Sequence, residues 1–221
     1  MAGESKIMPR TGRPRSFDHD QAVVSAMHLF WTHGYEGTSL GDLRKAMGGI
    51  SSASFYATFG SKERLFRKTV EFYLRTHGRV VSSLREGALR PRDRIEKALR
   101  LSAVMQTAGP HPSGCMVTLS ALVSSADGAP VQAITADERS GNRQAIRDCV
   151  QQAVDDGDLR ASTDVTGLST LVDALLMGIS VQARDGISSE AIDAAITQAL
   201  NAWDANATAT QLRHGDAGRR Q

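Results

Sequence analysis

The sequence predicts an all-α protein, and three observations predict it. Apolar residues recur at a spacing near 3.6 along almost the whole chain. Strand-like runs of β-branched and aromatic residues are sparse, with aromatics only 5% of the composition. Pro91, Pro110, Pro112 and Pro130, together with Gly157, punctuate the periodic stretches as helix boundaries do. No alternating pattern and no internal repeat competes with this reading.

The helices follow in order. Residues 18–33 form the first, with Asp18 as its cap, Gln21 three positions on, and an apolar stripe of Ala22, Val23, Ala26, Leu29 and Phe30. Gly34 ends it. A short helix over about 39–47 starts at Ser39 with Asp42 at its third position, turns Leu40, Leu43 and Met47 inward, and breaks at Gly48-Gly49. A second short helix, about 51–59, has Ser51 as cap and Ile50, Phe55 and Phe59 as its buried set, and stops at Gly60. Ser61 opens a long helix over about 61–86. Further helices are expected at about 91–108, 114–126, 130–156, 164–184 and 188–204. The helix at 164–184 is unusually apolar, which suits the centre of a core or half of a subunit interface. Residues 206–221 are polar and expected to be disordered.

The composition is that of a globular chain: 41% hydrophobic and 23% charged. Uninterrupted apolar stretches fall short of the roughly 20 residues that cross a bilayer, so no membrane partner is expected. The N-terminus, "MAGESKIMPRTGRPRSFD", is polar and basic without the apolar centre of a signal peptide, so residence in the cytoplasm is expected. Cys115 and Cys149 are too few for a disulfide framework and are expected as reduced thiols. Charge is uneven: residues 1–90 carry +6 and residues 91–221 carry −4, giving the overall +2. A basic front half suits a polyanionic partner.

Two short helices joined by a glycine turn, after a longer scaffold helix, match a helix-turn-helix. The second of them has a small polar outer side of Ser51, Ser52, Ala53, Ser54, Ala57 and Thr58, which allows close approach to a DNA groove. Lys62 falls in the first turn of the fourth helix, where its ammonium and the helix amides can share a phosphate. "RTGRPRSFD" (10–18) places Arg13 and Arg15 around Pro14 in a stiff extended arm, similar to arms that lie in a narrow A·T minor groove.

"TSLGDLRKAMGGISSASFYATFGSKERLF" (38–66) closely resembles the DNA-binding domain of the tetracycline-repressor (TetR) family of bacterial regulators. The resemblance rests on Thr38, Ser39, Asp42, Leu43, Ile50, Ser51, Phe55, Tyr56, Phe59, Lys62, Glu63 and Leu65, extends back to about residue 17, and beyond 66 holds as architecture only. It implies an N-terminal three-helix DNA-binding domain and a larger C-terminal helical domain for ligand binding and dimerisation. The divisions expected are a basic arm at 1–16, the helix-turn-helix domain at 17–62, the effector and dimerisation domain at 63–205, and the tail. It also implies phosphate contacts by Thr38 and Tyr56, and base reading by Ser51, Ser52 and Ala53, with Ala57 and Thr58 beside them. One departure stands out: Gly48-Gly49 makes the turn one residue longer than the family pattern.

By the same resemblance the partners are a double-stranded operator, a small-molecule effector and a second copy of the chain, the last through helices about 164–184 and 188–204. Met105, His111, Cys115, Met116, Leu119, Met177 and Trp203 are the candidates for an effector pocket. Cys115 near a helix start, with His111 four residues earlier, could sense oxidants or electrophiles; two such ligands do not make a metal site. No nucleophile motif, phosphate loop or dinucleotide fingerprint accompanies Cys115 and the six histidines, so neither catalysis nor a cofactor is expected. Repression is the expected mode, with activation as the alternative.

Overall fold

The structure, a computed structural model, describes residues 18–121 and 129–208. Among the described residues there are α-helices and no strands. In chain order they are α1 (His19–His33), α2 (Leu40–Ala46), α3 (Ser52–Phe59), α4 (Lys62–Arg75), a 3-10 segment (His77–Arg85), α5 (Pro91–Thr107), α6 (Met116–Leu119), α7 (Ala129–Asp155), α8 (Val165–Arg184) and α9 (Ser189–Asp204).

Most starts follow from the caps. Asp18 Oδ1 accepts from the amides of Asp20 and Gln21 at 3.0 Å each. Ser39 and Asp42 form a reciprocal capping box. Ser51, Ser61, Asp164 and Ser188 each accept from the amide three residues on. A cap of this kind stabilises its helix by about 1 kcal/mol. Arg92 and Arg100 of α5 bridge to Glu96, and then to Asp204 and Asp193 of α9, tying the two helices side by side.

Several boundaries depart from the sequence expectation. The helix expected over 61–86 breaks at Thr76 (φ −115°, ψ −92°), where the chain turns to lay Gly78 on the ring of Tyr73. A Cβ on Gly78 would meet that ring at 3.1 Å, tighter than side chains ordinarily pack, so the turn favours glycine. The helix expected over 114–126 is described only as the four-residue α6, and residues 122–128 lie outside the described part. Of the tail expected to be disordered, residues 206–208 are paired: Leu159 and Ala207 form an antiparallel bridge, and Thr208 N–H donates to Asp158 O at 3.0 Å. The α8 helix has the length and mean hydropathy (1.4) of a membrane-crossing segment, against the expectation that no stretch would. Leu168, Val172, Ile179 and Ala183 on one of its sides are nevertheless buried in the core.

Two hydrophobic clusters result. One gathers Phe30, Trp31, Leu43, Phe55, Phe59 and Phe66, with Phe30 and Phe66 meeting edge to face at 5.1 Å. It continues along α4 to Tyr73 and takes in Met116, Val117, Ala121 and Val131. The other is built by α5, α7, α8 and α9 around Ile95, Leu99, Ile146, Ile192 and Trp203.

Polar contacts join α1 to the second half of the chain. Trp31 Nε1 donates to Gly114 O at 3.0 Å, and Tyr35 N–H donates to Ser120 O at 2.7 Å. The Arg184 guanidinium at the end of α8 donates to Trp31 O, Thr32 O and Ser113 O.

Candidate nucleic-acid interface and internal cavity

The α3 helix is eight residues long, and its two sides differ sharply. Phe55 and Phe59 are buried at 0% and 3% exposure. Ser52, Ala53, Ala57 and Thr58 are exposed, and so is Tyr56, whose ring meets Phe55 edge-on at 5.5 Å. Burying two phenylalanines anchors the helix with about 1.5–3 kcal/mol each. The outer side then consists of short side chains that let the backbone approach another surface closely.

The turn before α3 explains the doubled glycine. Gly49 N–H donates to Arg44 O at 2.9 Å and Gly48 N–H to Lys45 O at 3.2 Å, the two bonds of a Schellman cap on α2. Both glycines are left-handed, with φ of +84° and +76°. The Arg44 side chain reaches over the turn and donates from Nε to Ile50 O at 2.9 Å. The first glycine therefore ends α2, and the second redirects the chain into α3.

The residues expected on DNA separate into groups. Ser52, Ala53, Tyr56 and Thr58 share the exposed side of α3. Ser51 acts as the cap: its Oγ accepts from Ser54 N–H and lies 3.0 Å from Ser54 Oγ. Lys62 stands at the start of α4 with Nζ 4.2 Å from the centre of the Tyr35 ring. Burial there pushes its ammonium pKa down, partly opposed by Glu36. Thr38 is not at the surface. It is 1% exposed, and its hydroxyl donates to Gly34 O at 2.7 Å, closing the loop after α1. Arg13 and Arg15 lie outside the described residues.

A partly open cavity of about 40 Å³ lies between α4, the 3-10 segment, α5, α6, α7 and α8. Of the seven residues expected in an effector pocket, Met105, Cys115 and Met177 line this cavity and the other four do not. His111 stacks on Trp31 with centroids 4.9 Å apart, and Met116 and Trp203 are buried in the two cores. Leu119 turns toward Gly114, 2.5 Å from where a Cβ on that glycine would stand.

The sequence reading missed Tyr73, Ser102, Gln106 and Asp173 on the same wall. Ser102 and Gln106 share the buried side of α5 with Ile95, Ala98, Leu99 and Ala103, and a polar pair within an apolar stripe was the available signal. Tyr73 Oη donates to Cys115 Sγ at 3.2 Å, and burial raises the tyrosine pKa well above its ordinary value, with Cys115 adding to the rise. Burial pushes the Asp173 carboxyl up, opposed by Arg143. Cys115 is half-buried, whereas Cys149 is buried in the core, where burial raises its thiol pKa.

Comparison with known proteins places this geometry in context. Residues 23–69 match the family model described as bacterial regulatory proteins, tetR family, and residues 91–200 match the tetracyclin repressor-like C-terminal domain. The HTH-type transcriptional repressor ComR of Escherichia coli (strain K12) is 30% identical over 196 residues, 87% of this chain and 91% of ComR. A cysteine mutant of the TetR family regulator CifR, solved with 26-bp double-strand operator DNA, is 40% identical with a TM-score of 0.78, covering 86% of this chain and 100% of CifR. A putative TetR regulator from Rhodococcus sp. RHA1 is 38% identical with a TM-score of 0.53, covering 84% and 98%.

Proposed function

The chain belongs to the TetR family of bacterial DNA-binding transcription regulators, and on that premise we propose that it is a repressor. As a homodimer it holds a pseudo-palindromic operator and lets go when a small molecule enters the cavity beside Cys115. One observation carries the DNA half of this reading: α3 is pinned by buried Phe55 and Phe59 while its other side offers only short side chains and Tyr56. Ser52 and Thr58 give and accept hydrogen bonds at base edges, and the methyls of Ala53 and Ala57 suit a thymine methyl. Tyr56, Lys62 and the arginines of the arm, Arg13 and Arg15, take phosphates and the minor groove, which sets affinity and its salt dependence.

The dimer surface proposed is the outer side of α8 with α9. Leu171 and Val181 are 43% and 49% exposed and share one side of the helix with half-buried Leu175 and Gly178. A Cβ on Gly178 would meet nothing within 4 Å, which leaves room for a second backbone. Two-fold pairing sets the two α3 helices about one DNA turn apart.

Selection of bound sequences from a random DNA pool tests the reading. Enrichment of two inverted half-sites centred about 34–36 Å apart is expected, bound by two chains. No enrichment, or a single half-site bound by one chain, refutes it. The effector half has its own test. N-ethylmaleimide forms a thioether when the Cys115 thiolate adds across its double bond and the adjacent carbon takes a proton from water. Release of the selected operator by the wild type and not by Cys115→Ser supports an electrophile effector; equal release by both sinks it.

A further inference from the structure

The cavity is more selective than its apolar walls suggest. Ser102 and Gln106, at 0% and 2% exposure, line the cavity, and their Oγ and Oε1 atoms are buried with no hydrogen-bond partner among the described residues. Their neighbours are already engaged. Tyr73 Oη donates to Cys115 Sγ, and Arg139 Nη1 donates to Val117 O at 2.7 Å. A buried acceptor left unpaired costs more than an ordinary hydrogen bond gains, so native proteins rarely leave two side by side. Met105 and Met177 complete the wall, and thioether side chains reshape readily around a guest.

We infer that this cavity is built for a small neutral ligand carrying a hydroxyl or N–H donor, which Gln106 Oε1 and Ser102 Oγ accept while Met105 and Met177 hold its apolar part. The inference rests on reading the cavity as the effector site, but its chemistry can be tested without DNA. Neutrality follows from the small size of the cavity and its mostly apolar walls: a charged guest would have to shed its hydration to enter, at a far greater cost than a neutral one, and the Arg139 guanidinium on the wall is already donating to Val117 O. The volume of about 40 Å³ limits the ligand to a compact one around which the methionines rearrange.

The experiment compares isomers in the full-length protein labelled at its methionine methyls. 1-Butanol and diethyl ether share a formula, but only the alcohol donates a hydrogen bond; n-butylammonium adds charge at the same length. Saturable shifts of the Met105 and Met177 methyl resonances report occupancy. The alcohol is expected to bind about five- to ten-fold more tightly than the ether, the worth of one buried hydrogen bond, and more tightly than the ammonium. In a Ser102→Ala, Gln106→Met double variant the two isomers should come within two-fold of each other.

Equal binding of the isomers by the wild type overturns the inference, as does the ammonium binding best. A preference that survives in the double variant overturns the assignment to these two residues. Saturable shifts from none of the three, the result if the two oxygens hold only water, overturns it as well. If the double variant does not fold, the wild-type preference still decides. Binding of the alcohol without operator release would instead refute the effector role of the cavity and leave the ligand chemistry standing.

Discussion

Replacing Arg184 by methionine is expected to loosen the connection between α1 and the second half of the chain by about 2 kcal/mol. The guanidinium donates at 2.8 Å to Trp31 O, at 3.2 Å to Thr32 O and at 3.1 Å to Ser113 O. Its side chain is exposed, so each bond is taken at the low end for such contacts, about 0.5 kcal/mol. Trp31 and Thr32 also belong to the last turn of α1, where a cation adds about 0.5 kcal/mol against the helix dipole. Methionine keeps most of the apolar stem and removes all of this. At fixed protein concentration the midpoint of thermal unfolding should fall by about 4–8 °C. The more direct reading is amide exchange at Tyr35, whose N–H bonds Ser120 O across the same junction. If that amide exchanges by opening of the junction, its protection should fall about 30-fold, the equivalent of 2 kcal/mol. Arg184→Lys keeps the charge but cannot span three carbonyls, and should recover less than half. Global destabilisation with unchanged Tyr35 protection would refute the reasoning, because Arg184 would then serve only the end of α8.

Four further outcomes are expected. Gly48→Ala and Gly49→Ala each place a left-handed alanine with no neighbour within 4 Å, so each should cost about 1–2 kcal/mol in urea unfolding through backbone strain alone, whereas deleting Gly49 should alter operator preference more than stability. Lys62→Met should lose about 0.5–1 kcal/mol of stability from the contact with Tyr35, and on the proposed function should lower the salt slope of operator binding by about one. His28 and His77 are held below their ordinary pKa, first by burial and then by His111, so the unfolded chain takes up protons more readily; the stability they favour is present above about pH 6.5 and is lost as pH falls below it, a slope that His77→Phe should flatten in urea titrations. Gly114→Ala should be more disruptive than the turn substitutions, since its φ is +81° and a Cβ would stand 2.7 Å from the Ser180 carbonyl oxygen; a drop in unfolding midpoint no larger than that of Gly48→Ala would contradict this.

What could be read from the sequence was mostly local. The starts of α1, α2, α3, α4, α8 and α9 follow from Asp18, Ser39, Ser51, Ser61, Asp164 and Ser188, because a capping side chain and its amide lie within three residues of each other. The two-sided character of α3 was legible for the same reason. The burial of Thr38 was not legible, because a threonine whose hydroxyl bonds Gly34 O and one left free look alike in sequence. The turn at Thr76 depends on Gly78 meeting Tyr73, and the place of Met116 in the first core depends on contacts with α1 and α4. The cavity was the least legible part, since cores and cavities draw on the same residue types. Met105 and Met177 line it while Trp203 does not, and only the fold decides between them.

The segment from Ser113 to Leu119 touches both the cavity and α1, which on the proposed function constrains how a ligand acts. Cys115 stands on the cavity wall, while Gly114 next to it accepts from Trp31 Nε1 and donates its own N–H to Gln106 O at 3.0 Å. A ligand shifts an equilibrium only by the difference in its affinity for the two states. In the state described here the cavity offers about 40 Å³, far below the several hundred that drug-sized ligands occupy. Preference for another state must therefore come from volume gained when the walls part. Gln106 and Cys115 cannot part without moving Gly114, and Gly114 cannot move far without straining its bond to Trp31 of α1. A compact ligand yields at most about 1.5 kcal/mol per heavy atom, and only the part gained in the parted state over the closed one counts against the junction, to which the Arg184 contacts alone add about 2 kcal/mol. On the proposed function, filling the cavity and loosening α1 are then a single event, carried by the short chain that the two share.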